Sequence, residues 1–155
     1  MFLSDDMREL LDLFRELAVE YAIVGGFAVN YYGYVRTTLG IDILVNPTIE
    51  NAARVLEALG RFGFAGAAIP RELLEREGGI VHLGLEPNRI DILTGLKGVD
   101  NNDILAGARV VEIDVEEVNL ISFEHLVEVK RKSDRPRDLA DADELTKIRG
   151  LRHEP

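Results

Sequence analysis

The chain has 155 residues, 46% of them hydrophobic, and a formal net charge of −10. That length builds one core and excludes two ordinary domains. The charge repels nucleic acid at long range and excludes non-specific DNA or RNA binding. Cysteine is absent, which removes disulfides, thiolate nucleophiles and cysteine–zinc sites and fits a cytoplasmic protein. His82, His125 and His153 are too scattered along the chain to suggest a histidine metal site. The apolar runs are too short for a membrane span. The opening Met1-Phe2-Leu3-Ser4-Asp5-Asp6 has neither the basic nor the apolar segment of a secretion signal.

In chain order, residues 5–20 carry Met7, Leu10, Leu11, Phe14, Leu17 and Ala18 at helical spacing. Ser4 caps this helix, and Asp5 and Asp6 suit its positive end. Tyr21–Val24 reads as a buried strand ended by Gly25-Gly26, with a short helix over Phe27–Tyr32 stopped by Gly33. Gly40–Asn46 is the next strand. Pro47-Thr48 then turns the chain into a helix whose apolar face is Ala52, Val55, Leu56 and Leu59, broken over residues 60–66. Pro70–Glu77 reads as one more short helix.

Ile80–Leu85 and Arg89–Leu93 flank Glu86-Pro87-Asn88, a hairpin signal. Thr94–Gly107, rich in Gly, Asn and Asp, reads as a loop. Ala108–Ile113 and Val115–Ile121 are two further strands. Ser122 caps a helix through Lys132, Ser133–Pro136 breaks it, and a last helix covers about Arg137–Ile148, leaving 150–155 as a frayed tail. This order gives one α/β (α+β) domain over residues 1–149, a mixed β-sheet with helices packed on it.

Two strands carry an acid against their apolar pattern. In Gly40–Asn46, Ile41, Ile43 and Val45 share one face and Gly40, Asp42 and Leu44 the other. In Arg89–Leu93, Asp91 lies opposite Ile90 and Ile92. An acid in an apolar strand is costly unless satisfied. The plain reading is a strand-end acid in water or paired with Arg36; the functional one aims both carboxylates at one point, where hard oxygen ligands select Mg²⁺ or Mn²⁺. A metal pair would want a second carboxylate at i and i+2 on one strand, about 6.5 Å apart, yet position 40 is glycine.

Gly25-Gly26 between strand and helix offers exposed N–H groups and a natural anion site. Lys130, Arg131, Lys132, Arg135 and Arg137 fall within eight residues, either as a solvated helix end or as a phosphate-facing patch in an acidic protein. Lys130 continues the stripe Phe123, Leu126, Val127, either snorkelling or reaching a phosphate.

Together these pieces resemble the nucleotidyltransferase superfamily of the DNA polymerase β type, and most of all its small bacterial AbiEii-like and minimal members. Val24-Gly25-Gly26-Phe27-Ala28-Val29 matches the glycine turn and helix. Arg36-Thr37-Thr38-Leu39-Gly40-Ile41-Asp42 matches the family's Arg-x-Thr-x-Asp-x-Asp strand, with Gly40 in place of the first acid. Arg89-Ile90-Asp91-Ile92-Leu93 matches the third acid. Lys130 with Arg135-Pro136-Arg137-Asp138-Leu139 matches a later signature. The resemblance implies a nucleotidyltransferase-like fold and transfer of a nucleoside monophosphate from an NTP to a hydroxyl of RNA, protein or a small molecule. It implies Asp42 and Asp91 as catalytic residues and ligands of Mg²⁺ or Mn²⁺, and Gly25, Gly26, Arg36, Thr38 and Lys130 as nucleotide-binding residues. The alternative it implies is a catalytically degenerate nucleotide- or partner-binding module, such as a toxin–antitoxin or phage-defence component. A cognate partner protein or a homodimer would then complete a shallow cleft. Glu86 and Asp100 are the nearby acids that could replace the missing one, and Gly40→Asp is expected to strengthen Mg²⁺-dependent NTP binding.

Overall fold

The computed structural model describes residues 3–63 and 69–153, with the side chains of 151–153 outside the description. Among the described residues, the elements run α1 (Asp5–Glu16), β1 (Tyr21–Val24), α2 (Gly25–Tyr31), β2 (Gly40–Val45), α3 (Ile49–Phe62) and α4 (Arg71–Leu74). They continue with β3 (Ile80–Leu83), β4 (Arg89–Leu93), α5 (Asn101–Gly107), β5 (Arg109–Ile113), β6 (Glu116–Leu120), α6 (Phe123–Lys132) and α7 (Pro136–His153). The strands form one mixed sheet in the order β3-β4-β2-β1-β6-β5. β2 lies parallel to β4 and antiparallel to β1, while β1 lies parallel to β6. The hairpins β3–β4 and β5–β6 close its two edges. The expected α/β architecture is therefore present, with helices on the sheet.

Local chemistry explains most element ends. Ser4 Oγ accepts from Met7 N at 3.2 Å and Ser122 Oγ accepts from His125 N at 3.1 Å, both caps expected from sequence. Thr48 does the same for α3 through Asn51 N at 3.1 Å. α3 runs through Gly60 and closes at Gly63, whose φ of 115° is open to glycine; of the break expected over 60–66, residues 64–66 lie outside the described residues. The core is continuous. Met7, Leu10, Leu11 and Phe14 of α1 bury against α3, and Tyr21–Val24 is buried along its whole length at the centre of the sheet.

Three expectations need correction. Asn101–Gly107 is a helix, not a loop: Asp100 Oδ1 accepts from Asn102 N at 2.7 Å and Asp103 N at 3.3 Å, and Ile104 is buried beneath it. Seven residues, about two turns, with one fully buried apolar side chain are too few to show a period. α2 starts at Gly25 rather than Phe27, so the two glycines form its first turn. α7 begins at Pro136 and runs to His153, past Ile148 and into the stretch read as a tail; residues 154 and 155 lie outside the described residues.

Candidate active site

β2 and β4 are adjacent and parallel, and their register sets Asp42 directly beside Asp91. Side chains at paired positions of neighbouring strands share a face, so both carboxylates rise from the same side of the sheet. Asp91 is buried, with 7% exposure, and Asp42 is partly buried. Burial first, then the charge of Asp91 and a hydrogen bond shared with it, push the Asp42 carboxyl up to about 6, against the weaker pull of Lys130 and Arg89. This is the behaviour of two acids crowded at one point with too little positive charge between them.

Asp91 is held from its other side. His82 Nδ1 lies 2.7 Å from Asp91 Oδ1, and Arg89 Nη2 donates to Asp91 Oδ2 at 3.2 Å. Neither partner was singled out from sequence. The signal for His82 was present in the alternation of β3, where Ile80 and His82 are exposed and Val81 and Leu83 buried, and where His82 registers opposite Asp91.

The diglycine abuts this acid pair. Val24 registers with Asp42, so Gly25 meets the Asp42 carboxylate at the start of α2. Its φ is 68°, and a Cβ there would overlap Asp42 Oδ2. A Cβ on Gly26 would lie 3.1 Å from Thr38 Cγ2 and 3.4 Å from Arg36 Nη2. The fold thus brings Gly25, Gly26, Arg36, Thr38, Asp42, Asp91 and Lys130 to one cavity of about 650 Å³ between the sheet and the α6–α7 side.

The two expected phosphate cations are engaged inside the protein. Arg36 Nη2 lies 2.8 Å from Asp141 Oδ2, and Lys130 Nζ lies 3.0 Å from Asp138 Oδ1 and 3.2 Å from Asp141 Oδ2. Asn30 of α2 fixes Arg36 further, bonding both its N and its O at 2.9 Å. Asp141 is 2% exposed. Burial alone would raise the Asp138 carboxyl; hydrogen bonds from Ser133 and Lys130 outweigh it and lower it below the usual carboxylate range.

Position 40 is decided by packing. A Cβ on Gly40 would overlap the carbonyl oxygen of Arg89 on the neighbouring strand. An aspartate there needs the backbone at Gly40 or Arg89 to shift, so Gly40→Asp carries a packing cost that the sequence did not reveal. Neither candidate replacement acid lines the cavity: Glu86 pairs with Arg89 at 3.3 Å, and Asp100 caps α5.

Among the described residues no group of three or more His, Asp or Glu is placed to hold a metal ion. Asp42 and Asp91 still suit one hard divalent cation. Mg²⁺ is commonly held by one or two carboxylates, with water and substrate phosphates completing its shell. The mutual repulsion that raises Asp42 is what such a cation would relieve.

No family model matches this sequence, and no curated protein matches it. Solved structures do. The Thermotoga maritima protein TM1012, described as a nucleotidyltransferase, superposes with a TM-score of 0.60 at 16% identity, covering 96% of this chain and 91% of that one. The lincosamide antibiotic adenylyltransferase LnuA, bound to lincomycin, gives 0.57 at 18% identity over 96% and 99%. ANT(2")-Ia in complex with adenylyl-2"-tobramycin gives 0.55 at 14% identity over 93% and 91%. The chain therefore has the nucleotidyltransferase fold. Among the described residues no helix is long and apolar enough to cross a membrane.

Proposed function

We propose that this chain is a metal-dependent nucleotidyltransferase that moves a nucleoside monophosphate from an NTP to an acceptor hydroxyl. The observation that carries this reading is the in-register pair Asp42–Asp91 beside the Gly25-Gly26 helix start. Asp42 and Asp91 would hold one Mg²⁺ or Mn²⁺, whose contribution is to neutralise charge on the reacting phosphates. The N–H groups that open α2 orient the triphosphate. The acceptor oxygen bonds to the α-phosphorus, the bond from that phosphorus to its bridging oxygen breaks, and pyrophosphate leaves with the electron pair. The hydroxyl proton passes to solvent. The adenylyltransferase neighbours support nucleotide transfer, and the small molecules bound in them favour a small-molecule acceptor.

One observation favours a second reading, a module that holds nucleotide without turnover, alone or with a cognate partner protein as in a toxin–antitoxin or phage-defence pair. Gly40 gives no side chain to a second cation, and packing against Arg89 resists adding one. Loss of one preorganised electrostatic element commonly costs about 10²–10³ in rate.

Calorimetry with ATP, GTP, CTP and UTP, each with and without Mg²⁺ or Mn²⁺, tests both. The expected result is binding of at least one NTP that requires the cation, followed by pyrophosphate release once an acceptor hydroxyl is supplied. Binding without release selects the second reading. No binding of any NTP with either cation overturns both.

A further inference from the structure

Six cationic side chains line the cavity: Arg36, Arg89, Lys97, Lys130, Arg135 and Arg137. Four of them make ion pairs, three with buried or partly buried carboxylates and Lys97 in an exposed pair. Arg36 and Lys130 pair with Asp141 and Asp138, Arg89 with Asp91, and Lys97 with Asp134 at 2.7 Å. Among the described residues Arg135 and Arg137 alone of the six make no ion pair, and both are exposed. Asp138 feels the charge of Arg135, but its two oxygens are taken by Lys130 and Ser133.

The segment that carries these two arginines is braced at several points. Lys132 Nζ donates to Gly98 O at 3.0 Å, and the Lys97–Asp134 pair ties the same loop to the α6–α7 turn. Within the turn, Ser133 Oγ donates to Asp138 Oδ2 at 2.6 Å and accepts from Arg135 N at 3.3 Å. Two guanidinium groups without hydrogen-bond or ion-pair partners therefore line the cavity from a hydrogen-bonded turn, in a protein of net charge −10. A nucleoside triphosphate carries more negative charge than one divalent cation and a helix start can offset. Arg36 and Lys130, each already beside a buried or half-buried carboxylate, add little net charge.

We propose that Arg135 and Arg137 form the polyphosphate-binding arm of this cavity, supplying the counter-charge for the outer phosphates of the nucleotide. Guanidinium groups suit this task because each offers a planar pair of donors to phosphate oxygens. The assignment rests on the nucleotide reading above for its biological ligand, but its own probe is inorganic tripolyphosphate.

The experiment compares three proteins by calorimetry: the parent, the double variant Arg135→Ala/Arg137→Ala, and a control, Arg54→Ala/Arg71→Ala, that removes the same charge from exposed positions outside the cavity. Ligands are tripolyphosphate without metal, then NTP and NMP with Mg²⁺. The double variant should lose about tenfold or more in affinity for tripolyphosphate and NTP, while NMP affinity and the thermal midpoint stay with the parent. The control should match the parent throughout. Equal losses in the control, equal losses for NMP and NTP, or no tripolyphosphate binding by the parent each overturn the proposal. If tripolyphosphate binding depends on the two arginines while no NTP shows a cation requirement, this assignment stands and the metal-dependent reading fails.

Discussion

The cavity has two acidic walls that solve the same electrostatic problem in opposite ways. On the sheet wall, Asp42 and Asp91 face each other at adjacent positions of parallel strands, and the Asp42 carboxyl rises to about 6. On the helical wall, Asp138 and the buried Asp141 behind it share Lys130, Asp141 also holds Arg36, and the Asp138 carboxyl is lowered. The helical wall is a closed network that locks α7 to α6 and to the segment before β2. The sheet wall keeps an uncompensated negative charge. Sites that bind or react are where such imbalance is retained, and packing networks are where it is cancelled.

The largest effect should come from opening the closed network. Asp141→Asn leaves Arg36 and Lys130 without their shared buried carboxylate, and breaking a buried pair of this kind costs about 3–5 kcal/mol. Urea unfolding should report that loss at neutral pH; a change within a few tenths of a kcal/mol would show that the helical wall is not what holds α7 in place.

Asp42→Asn acts on the other wall with the opposite sign. Because burial and Asp91 raise the folded carboxyl from 3.8 to about 6, the ionised form penalises the fold above that value. The parent should gain stability as pH falls from neutral through about 6 towards 4, with nothing further from this group below its unfolded value. At pH 7.5 the variant should be more stable than the parent by up to about 3 kcal/mol, and cation-dependent nucleotide binding should be abolished. Thermal melts across pH, with and without Mg²⁺, check both arms: the cation should stabilise the parent and not the variant. The lowered Asp138 behaves in reverse, contributing stability at neutral pH that is lost only on stronger acidification.

Gly40→Asp gives a smaller, sharper test. If the neighbouring Arg89 carbonyl governs this position, the variant loses about 1–3 kcal/mol, Gly40→Ala loses a similar amount, and NTP affinity does not improve. Tighter Mg²⁺-dependent NTP binding by Gly40→Asp would mean that β2 and β4 separate readily and that the site has room for a further acid.

Much of the frame was legible in the chain itself. Strand alternation around Asp42 and Asp91, the caps at Ser4 and Ser122, and the hairpin over 80–93 follow from rules that act over a few residues, and each matches the fold. The helix at 101–107 escaped because its signal is one cap and one buried isoleucine. The engagement of Arg36 is invisible in the chain because its partner Asp141 lies 105 positions beyond it, and that of Lys130 because its partners, though only 8 and 11 positions on, meet it across the α6–α7 turn. Arg135 and Arg137 belonged to a charge run with two open readings, and only the fate of the other cavity cations distinguishes them.

The sequence by itself determined which residues could not rest comfortably in a core: two acids in apolar strands, a pair of glycines at a helix start, and a basic run in an acidic protein. Tertiary structure alone decided which charges cancel and which remain. That division has a physical cause. Backbone preference and side-chain alternation are local, whereas ion pairing, desolvation and the space available to a Cβ depend on strand register and helix docking. Those are fixed only when distant segments meet, as β2 and β4 do at Gly40 and Asp42.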